Sequence, residues 1–145
     1  AETFRNGDVF VGQFLRDQRH GYGTLTTEGG KTVYEGLWKL GKMQDGPGWS
    51  ISYENGSKYM GEMANRAPHG KGTMIYKGKE AEVYSHYMGS FKDGLRHGEG
   101  IAVNSCGDKQ YGIWTDDILT RVSTEMEIRE NSEKENYKDL IDEDL

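Results

Sequence analysis

Tyr34-Glu-Gly-Leu-Trp38 decides the reading of this chain. An aromatic, a glycine and a second aromatic stand at i, i+2 and i+4. Side chains of an extended strand alternate between its faces, so all three point the same way. The glycine leaves room for rings of the neighbouring strand to overlap it. The same line returns as Phe10-Val-Gly-Gln-Phe14, Tyr59-Met-Gly-Glu-Met63 and Tyr87-Met-Gly-Ser-Phe91, with starts 24, 25 and 28 residues apart. Each is followed by a Gly-x-Gly: Gly21/Gly23, Gly46/Gly48, Gly70/Gly72 and Gly98/Gly100. A fixed period in this range marks a repeat array, whose units bury their apolar faces only against their neighbours. Such arrays are usually binding surfaces, so the period argues against catalysis.

Working outward, each line leads into loop residues such as Arg16-Asp-Gln-Arg-His20, and the Gly-x-Gly opens a return strand (Thr24-Leu-Thr-Thr27, Ser50-Ile-Ser-Tyr53, Thr73-Met-Ile-Tyr76, Ile101-Ala-Val103). A second turn closes each unit at Asn6-Gly7, Gly29-Gly30, Asn55-Gly56, Lys77-Gly78 or Cys106-Gly107. Asn-Gly and Gly-Gly suit tight primed turns, which need positive φ. The 21 glycines are thereby spent on turns and close packing, and no three-residue period supports a collagen. Repeat two carries one extra residue before its Gly-x-Gly. Repeat three carries four extra residues within Lys77–His86, read as a charged, protruding loop. Thr3-Phe-Arg-Asn-Gly-Asp8 resembles the tail of a preceding unit, which suggests a piece of a longer array. Gln110-Tyr-Gly-Ile-Trp114 keeps Gly112 and Trp114 in register and is expected to be a terminal strand with no return strand.

The pattern Tyr-x-Gly-x-Trp, loop, His-Gly-x-Gly, then Thr-Leu and a turn resembles the MORN repeat (membrane occupation and recognition nexus). Tyr34, Gly36, Trp38 and Gly46 carry the match in repeat two, and Gly12, His20, Gly21, Gly23 and Leu25 in repeat one. The resemblance covers roughly residues 3–114, with departures at Met63 and Tyr111. It implies a mainly β fold: an elongated, twisted, single-layer antiparallel β-meander with a groove along one face. It further implies a scaffold at membranes or cytoskeletal structures, including ciliary axonemes, and hence a cytoplasmic, cytoskeleton- or cilium-associated protein. Family members differ widely in role, so the resemblance fixes fold before function.

Composition sets outer bounds. At 145 residues there is room for the array over 1–114 and an appendage over 115–145. A hydrophobic content of 34% suits a sheet with no thick two-layer core. The lone Cys106 forms no intrachain disulfide and suits a reducing compartment. No apolar run approaches the ~20 residues of a membrane-spanning helix. The net charge of −6 is uneven: residues 115–145 hold eleven acids and four bases, the array thirteen and fourteen. A near-neutral array lacks the basic stripe of a nucleic-acid binder.

The appendage reads as an acidic, helical or partly disordered tail. Ile118, Leu119, Val122 and Met126 share a helical face, and Thr124-Glu-Met-Glu127 fits a capping box. Tyr137, Leu140, Ile141 and Leu145 recur at helical spacing among acids, a stripe able to dock in a groove of this array or of a partner.

Individual motifs carry little chemistry. His20, His69 and His97 share one repeat position and would stack in a row, whereas a metal needs ligands converging on a point. Gly21-Tyr-Gly23 is flanked by strands and lacks the helix N-terminus of a phosphate loop. Asn55-Gly-Ser57 matches a glycosylation sequon but sits where the repeat needs a turn, and Asp116-Asp117 reads as a cap or turn. No nucleophile–base or carboxylate pair stands out, so no enzyme activity, metal or cofactor is expected. The best site candidates are Tyr34, Trp38, Tyr59, Tyr87, Phe91 and Trp114, which should line one face as an exposed aromatic groove. Two function classes follow: a scaffold that takes a helical peptide or another MORN-type protomer, and a module for anionic phospholipids. Lipid binding would use Arg16, Arg19, Lys39, Lys42, Arg66, Lys92 and Arg96 on one loop edge, where Asp17, Asp45 and Asp93 also lie.

Overall fold

Glycines in register across neighbouring strands let the sheet bend, and the rest of the fold follows from that bend. The computed structural model describes residues 2–124, so Met126, Tyr137, Leu140, Ile141 and Leu145 lie outside the described residues. The strands are β1 (Glu2–Thr3), β2 (Val9–Leu15), β3 (Gln18–Thr26), β4 (Thr32–Lys39), β5 (Lys42–Met43), β6 (Gly46–Tyr53), β7 (Lys58–Ala64), β8 (Ala67–Ile75), β9 (His86–Lys92), β10 (Leu95–Val103), β11 (Lys109–Thr115) and β12 (Ile118–Val122). They form one open antiparallel sheet in chain order, with β5 pairing only with β4. The expected single-layer β-meander is therefore present.

The register aligns Gly12, Gly23 and Gly36, then Trp49, then Gly61, Gly72, Gly89, Gly100 and Gly112. From β2 to β11 this rank has a single side-chain-bearing member, Trp49. Beside it the register shifts by a bulge at Gly12/Phe14, Gly46/Trp49, Gly61/Met63 and Arg96/Gly100. Bulges bend the strand that carries them and increase its twist. Bare glycines beside the bends leave a trough on one face, and the rings fill it.

The turns differ from expectation in kind. The stretch after each aromatic line is a two-residue turn with positive φ at both central residues: Arg16-Asp17, Leu40-Gly41, Asn65-Arg66, Asp93-Gly94 and Asp116-Asp117. These, and not the Asn-Gly pairs, are the primed turns whose twist matches the strands. The return strands β3, β8 and β10 thus begin three residues before their Gly-x-Gly. At the opposite edge Gly56 has positive φ but Asn55 does not. There Gly56 N–H bonds Tyr53 O at 2.9 Å, and Asn55 Oδ1 accepts Ser57 N–H at 2.9 Å. Gly7 and Gly107 repeat this arrangement on Phe4 O and Asn104 O.

Two further expectations are corrected. First, β11 does have a return strand, because Asp116-Asp117 turns the chain and Ile118–Val122 pairs with β11 (Trp114↔Leu119, Gly112↔Val122). The expected helical face through Ile118, Leu119 and Val122 does not form. The unpaired edge of β11 offers the backbone of those residues hydrogen bonds, and tertiary pairing outweighs a short helical spacing. Second, the Lys77–His86 insertion does not simply protrude. It makes a single 3-10 turn (Gly78–Glu82) and returns Tyr84 against the core, held by Ser85 N–H to Val103 O at 2.7 Å.

Candidate functional site

The aromatic lines are the core of the bent face. Trp38, Tyr59, Tyr87, Phe91 and Trp114 are buried, Phe91 most exposed at 4 %, and Tyr34 is half-buried. The expectation of an exposed row of these six rings is corrected accordingly: the bend folds them inward. In repeats one, three and four the first ring lies over the glycine rank. A Cβ at Gly23, Gly72 or Gly100 would collide with Phe10, Tyr59 or Tyr87 respectively. The second ring of the next unit meets it edge-on: Phe10–Trp38 at 5.0 Å, Tyr59–Phe91 and Tyr87–Trp114 both at 5.1 Å. Edge-to-face pairs at this spacing are the favoured aromatic geometry. Tyr59 and Tyr87 donate their hydroxyls to Glu62 O (2.6 Å) and Ser90 O (3.0 Å). Burial drives both phenols to ionise well above the ordinary tyrosine range.

Repeat two departs from this scheme. Trp49, 2 % exposed, covers Gly36, and its indole N–H donates to Gln44 O at 2.8 Å. Tyr34 is left half-exposed. Sequence reasoning missed Trp49, although its signal was present in the extra residue between Tyr34 and Gly46. In repeat three Met63, 2 % exposed, fills the ring position.

The face curls until its two edges meet. Arg96, on the primed-turn edge, lies 5.6 and 5.0 Å from the rings of Tyr76 and Tyr84 at the far edge. Arg19 occupies the equivalent position in repeat one, 4.5 Å from the Phe4 ring and 4.8 Å from Trp38. Under the Arg96 bridge runs a groove of about 550 Å³. Its floor is Met74 and Phe91. Tyr53, Tyr76, Tyr84 and Val83 wall one side, Ala67, Pro68 and Gly94 the other, with Arg66, Glu80 and Asp117 at the rim. Burial, with the nearby Tyr34, Glu80 and Tyr76, pushes Tyr53 up to about 12. Burial likewise takes Tyr76 to about 12, although Arg96 pulls the other way. Tyr34 is raised by burial and lowered by Arg66. Of the six expected residues, only Phe91 lines the groove. Tyr34 lies close to Tyr53 and Arg66; Tyr59 and Tyr87 pack edge-on against Phe91, Trp114 packs on Tyr87, and Trp38 lies further along the face, against Phe10. The contributions of Tyr53, Tyr76 and Tyr84 were missed because they lie outside the aromatic lines.

Four stretches of this architecture, residues 10–32, 34–50, 59–78 and 87–103, match the family model for the MORN repeat, together more than half of the chain. The chain belongs to the MORN-repeat family. The matched stretches begin on Phe10, Tyr34, Tyr59 and Tyr87, the first rings of the four lines. The chain is also similar to MORN repeat-containing protein 3 of Xenopus laevis, 37% identical over 79 residues. That match takes in 52% of this chain and 33% of the relative, so it reaches over about one third of the relative's length. MORN repeats are commonly protein or membrane interaction modules and generally non-enzymatic scaffolds.

His69, His97 and Arg96 have local partners. His69 Nδ1 accepts Asp93 N–H and His97 Nδ1 accepts Asp116 N–H, each at 3.3 Å, so each imidazole holds the primed turn of the next unit. No group of three metal-ligating side chains converges among the described residues. Arg96 Nε donates to Asp117 Oδ1 at 3.0 Å, which ties one of the seven bases of the turn edge to a carboxylate. Among the described residues no helix is long and apolar enough to cross a membrane.

Proposed function

We propose that the curled face of this MORN array is a docking groove for an apolar helical segment, supplied by a protein partner or by a second MORN-type protomer. The chain then acts as a non-catalytic scaffold, and the family resemblance favours a cytoplasmic setting in a cytoskeletal or ciliary assembly. The groove itself carries this reading. An apolar floor, aromatic walls and a mixed-charge rim suit an amphipathic helix, which buries one stripe and keeps its polar side at the rim. Phe91 serves as floor. Tyr34, Trp38, Tyr59, Tyr87 and Trp114 hold the bend that forms the walls. Anionic phospholipid ranks second, because Asp17, Asp45, Asp93, Asp116 and Asp117 interleave with the bases of the turn edge and Arg96 is already paired.

Selection of helical peptides from a display library on the full chain tests the reading. Selected helices should lose affinity for Tyr76→Ala with Tyr84→Ala, whose rings wall the groove. Truncated aromatic anchors typically cost ~2 kcal/mol or more, roughly thirtyfold in affinity. Helices that bind this folded variant as tightly as the unaltered chain would refute the groove. Salt-sensitive sedimentation with phosphatidylserine vesicles, and no selected helices, would favour lipid instead.

A further inference from the structure

The groove has a candidate occupant in the chain itself. Beside it, sharing Arg66 as a lining residue, lies a second cleft of about 260 Å³ that carries Arg19, Lys42 and Arg66 against the single carboxylate of Asp45. Asp45 is engaged, since its Oδ1 accepts Asn65 N–H at 3.1 Å. Arg19, Lys42 and Arg66 form no carboxylate ion pair among the described residues. The curled face thus joins an apolar groove to a cationic cleft. Residues 125–145 have the opposite chemistry, with nine acids against three bases and the apolar stripe Tyr137, Leu140, Ile141 and Leu145.

Position and reach agree with chemistry. Ser123 N–H bonds Tyr111 O at 2.8 Å, so the described chain ends beside the start of β11. That is the edge from which Tyr53, Tyr76 and Tyr84 wall the groove. From β12 back to β3, which carries Arg19, is eight strand spacings, about 38 Å. A stretch of 21 residues covers about 32 Å if fully helical and about 69 Å if extended. A helical stripe joined by an extended stretch therefore reaches both clefts without the array having to move.

We propose that residues 125–145 turn back over the curled face, seat the Tyr137–Leu145 stripe in the groove and set their carboxylates toward Arg19, Lys42 and Arg66. A helical partner for the same groove then competes with them. This rests on the groove reading above, and the test separates the two.

The probe is a fluorescently labelled synthetic peptide of residues 130–145, titrated into the full chain. Leu140→Asp with Ile141→Asp removes the stripe from the chain's own copy and frees the groove. The altered chain should bind the peptide about tenfold more tightly than the unaltered chain, because apparent affinity scales with the fraction of open sites. Equal binding to the two chains overturns self-occupancy. A peptide that binds neither, while library-selected helices bind both equally, removes the segment and leaves the groove reading standing. If neither kind of peptide binds, both readings fall together. A disulfide between Ala67→Cys and Leu140→Cys, in a Cys106→Ser background, reports who fills the groove. A crosslink within one chain supports the proposal, and a crosslink only between chains assigns the groove to a second copy and overturns it.

Discussion

Repeats two and four of this array solve one packing problem in different ways. In repeat four, Tyr87 covers Gly100, anchors its hydroxyl on Ser90 O and takes Phe91 and Trp114 edge-on at 5.1 Å. In repeat two the ring comes from the other strand. Trp49 stands within the glycine rank and covers Gly36, while Tyr34, the counterpart of Tyr87, is half-exposed. The trough left by bare glycines must hold a ring, but either strand can supply it. One inserted residue is enough to move the donor.

The largest effect should come from removing the substitute ring. Trp49→Ala leaves the trough of repeat two empty and should destabilise the chain by about 4 kcal/mol. Tyr34→Ala, at a half-exposed position, should cost about 1–2 kcal/mol. Denaturant unfolding of the two variants decides the matter, and a larger loss at Tyr34 would mean that repeat two is built like repeat four after all.

A smaller contrast is expected at the second glycine of each Gly-x-Gly. A Cβ at Gly100 meets the Tyr87 ring, so Gly100→Ala should cost about 3 kcal/mol through overpacking. At Gly48 nothing lies within 4 Å. Gly48→Ala should cost only about 1 kcal/mol, the strain of an alanine at φ +84°. Equal losses in thermal unfolding would show that both glycines serve backbone conformation alone.

The smallest effect is electrostatic. Tyr53, in repeat two, ionises at about 12 when folded against an ordinary 10, and Tyr76 does likewise. A raised folded value stabilises the protein fully below pH 10, and that contribution is lost as pH rises through about 12. Stability should therefore fall between pH 10 and 12, with tyrosinate absorbance rising in step, and Tyr53→Phe should make the decline shallower. An unaltered decline in that variant would exclude Tyr53 from it.

The repeat was legible because aromatic–glycine–aromatic at i, i+2 and i+4 admits only one reading on a strand, and the period repeats it four times. Three features were not legible, each for its own physical reason. Ile118, Leu119 and Val122 fit a helix by spacing, and only the open edge of β11 makes them a strand. The primed turns lie at residues such as Leu40 and Arg16, whose side chains do not advertise positive φ; the structure around them imposes it. The groove depends on Tyr84 returning from an insertion and on two edges curling together, distances that no local pattern encodes. The six expected site residues do share one packed cluster, but bending buries five of them where an exposed row was expected.

The turn clamps also give the array a direction. Gly41 N–H bonds Arg19 O, Gly94 N–H bonds Pro68 O and Asp117 N–H bonds Arg96 O, so in units one, three and four a carbonyl is completed by the turn of the unit after it, while in unit two the Asp45 carboxylate takes Asn65 N–H instead. His69 and His97 reach forward in the same sense. A break at one end therefore strips an acceptor of its donor, and a break at the other strips a donor of its acceptor. Pulled from its two ends, such a ribbon is not symmetric: unravelling from the last turn frees strand carbonyls, and unravelling from the first frees turn amides.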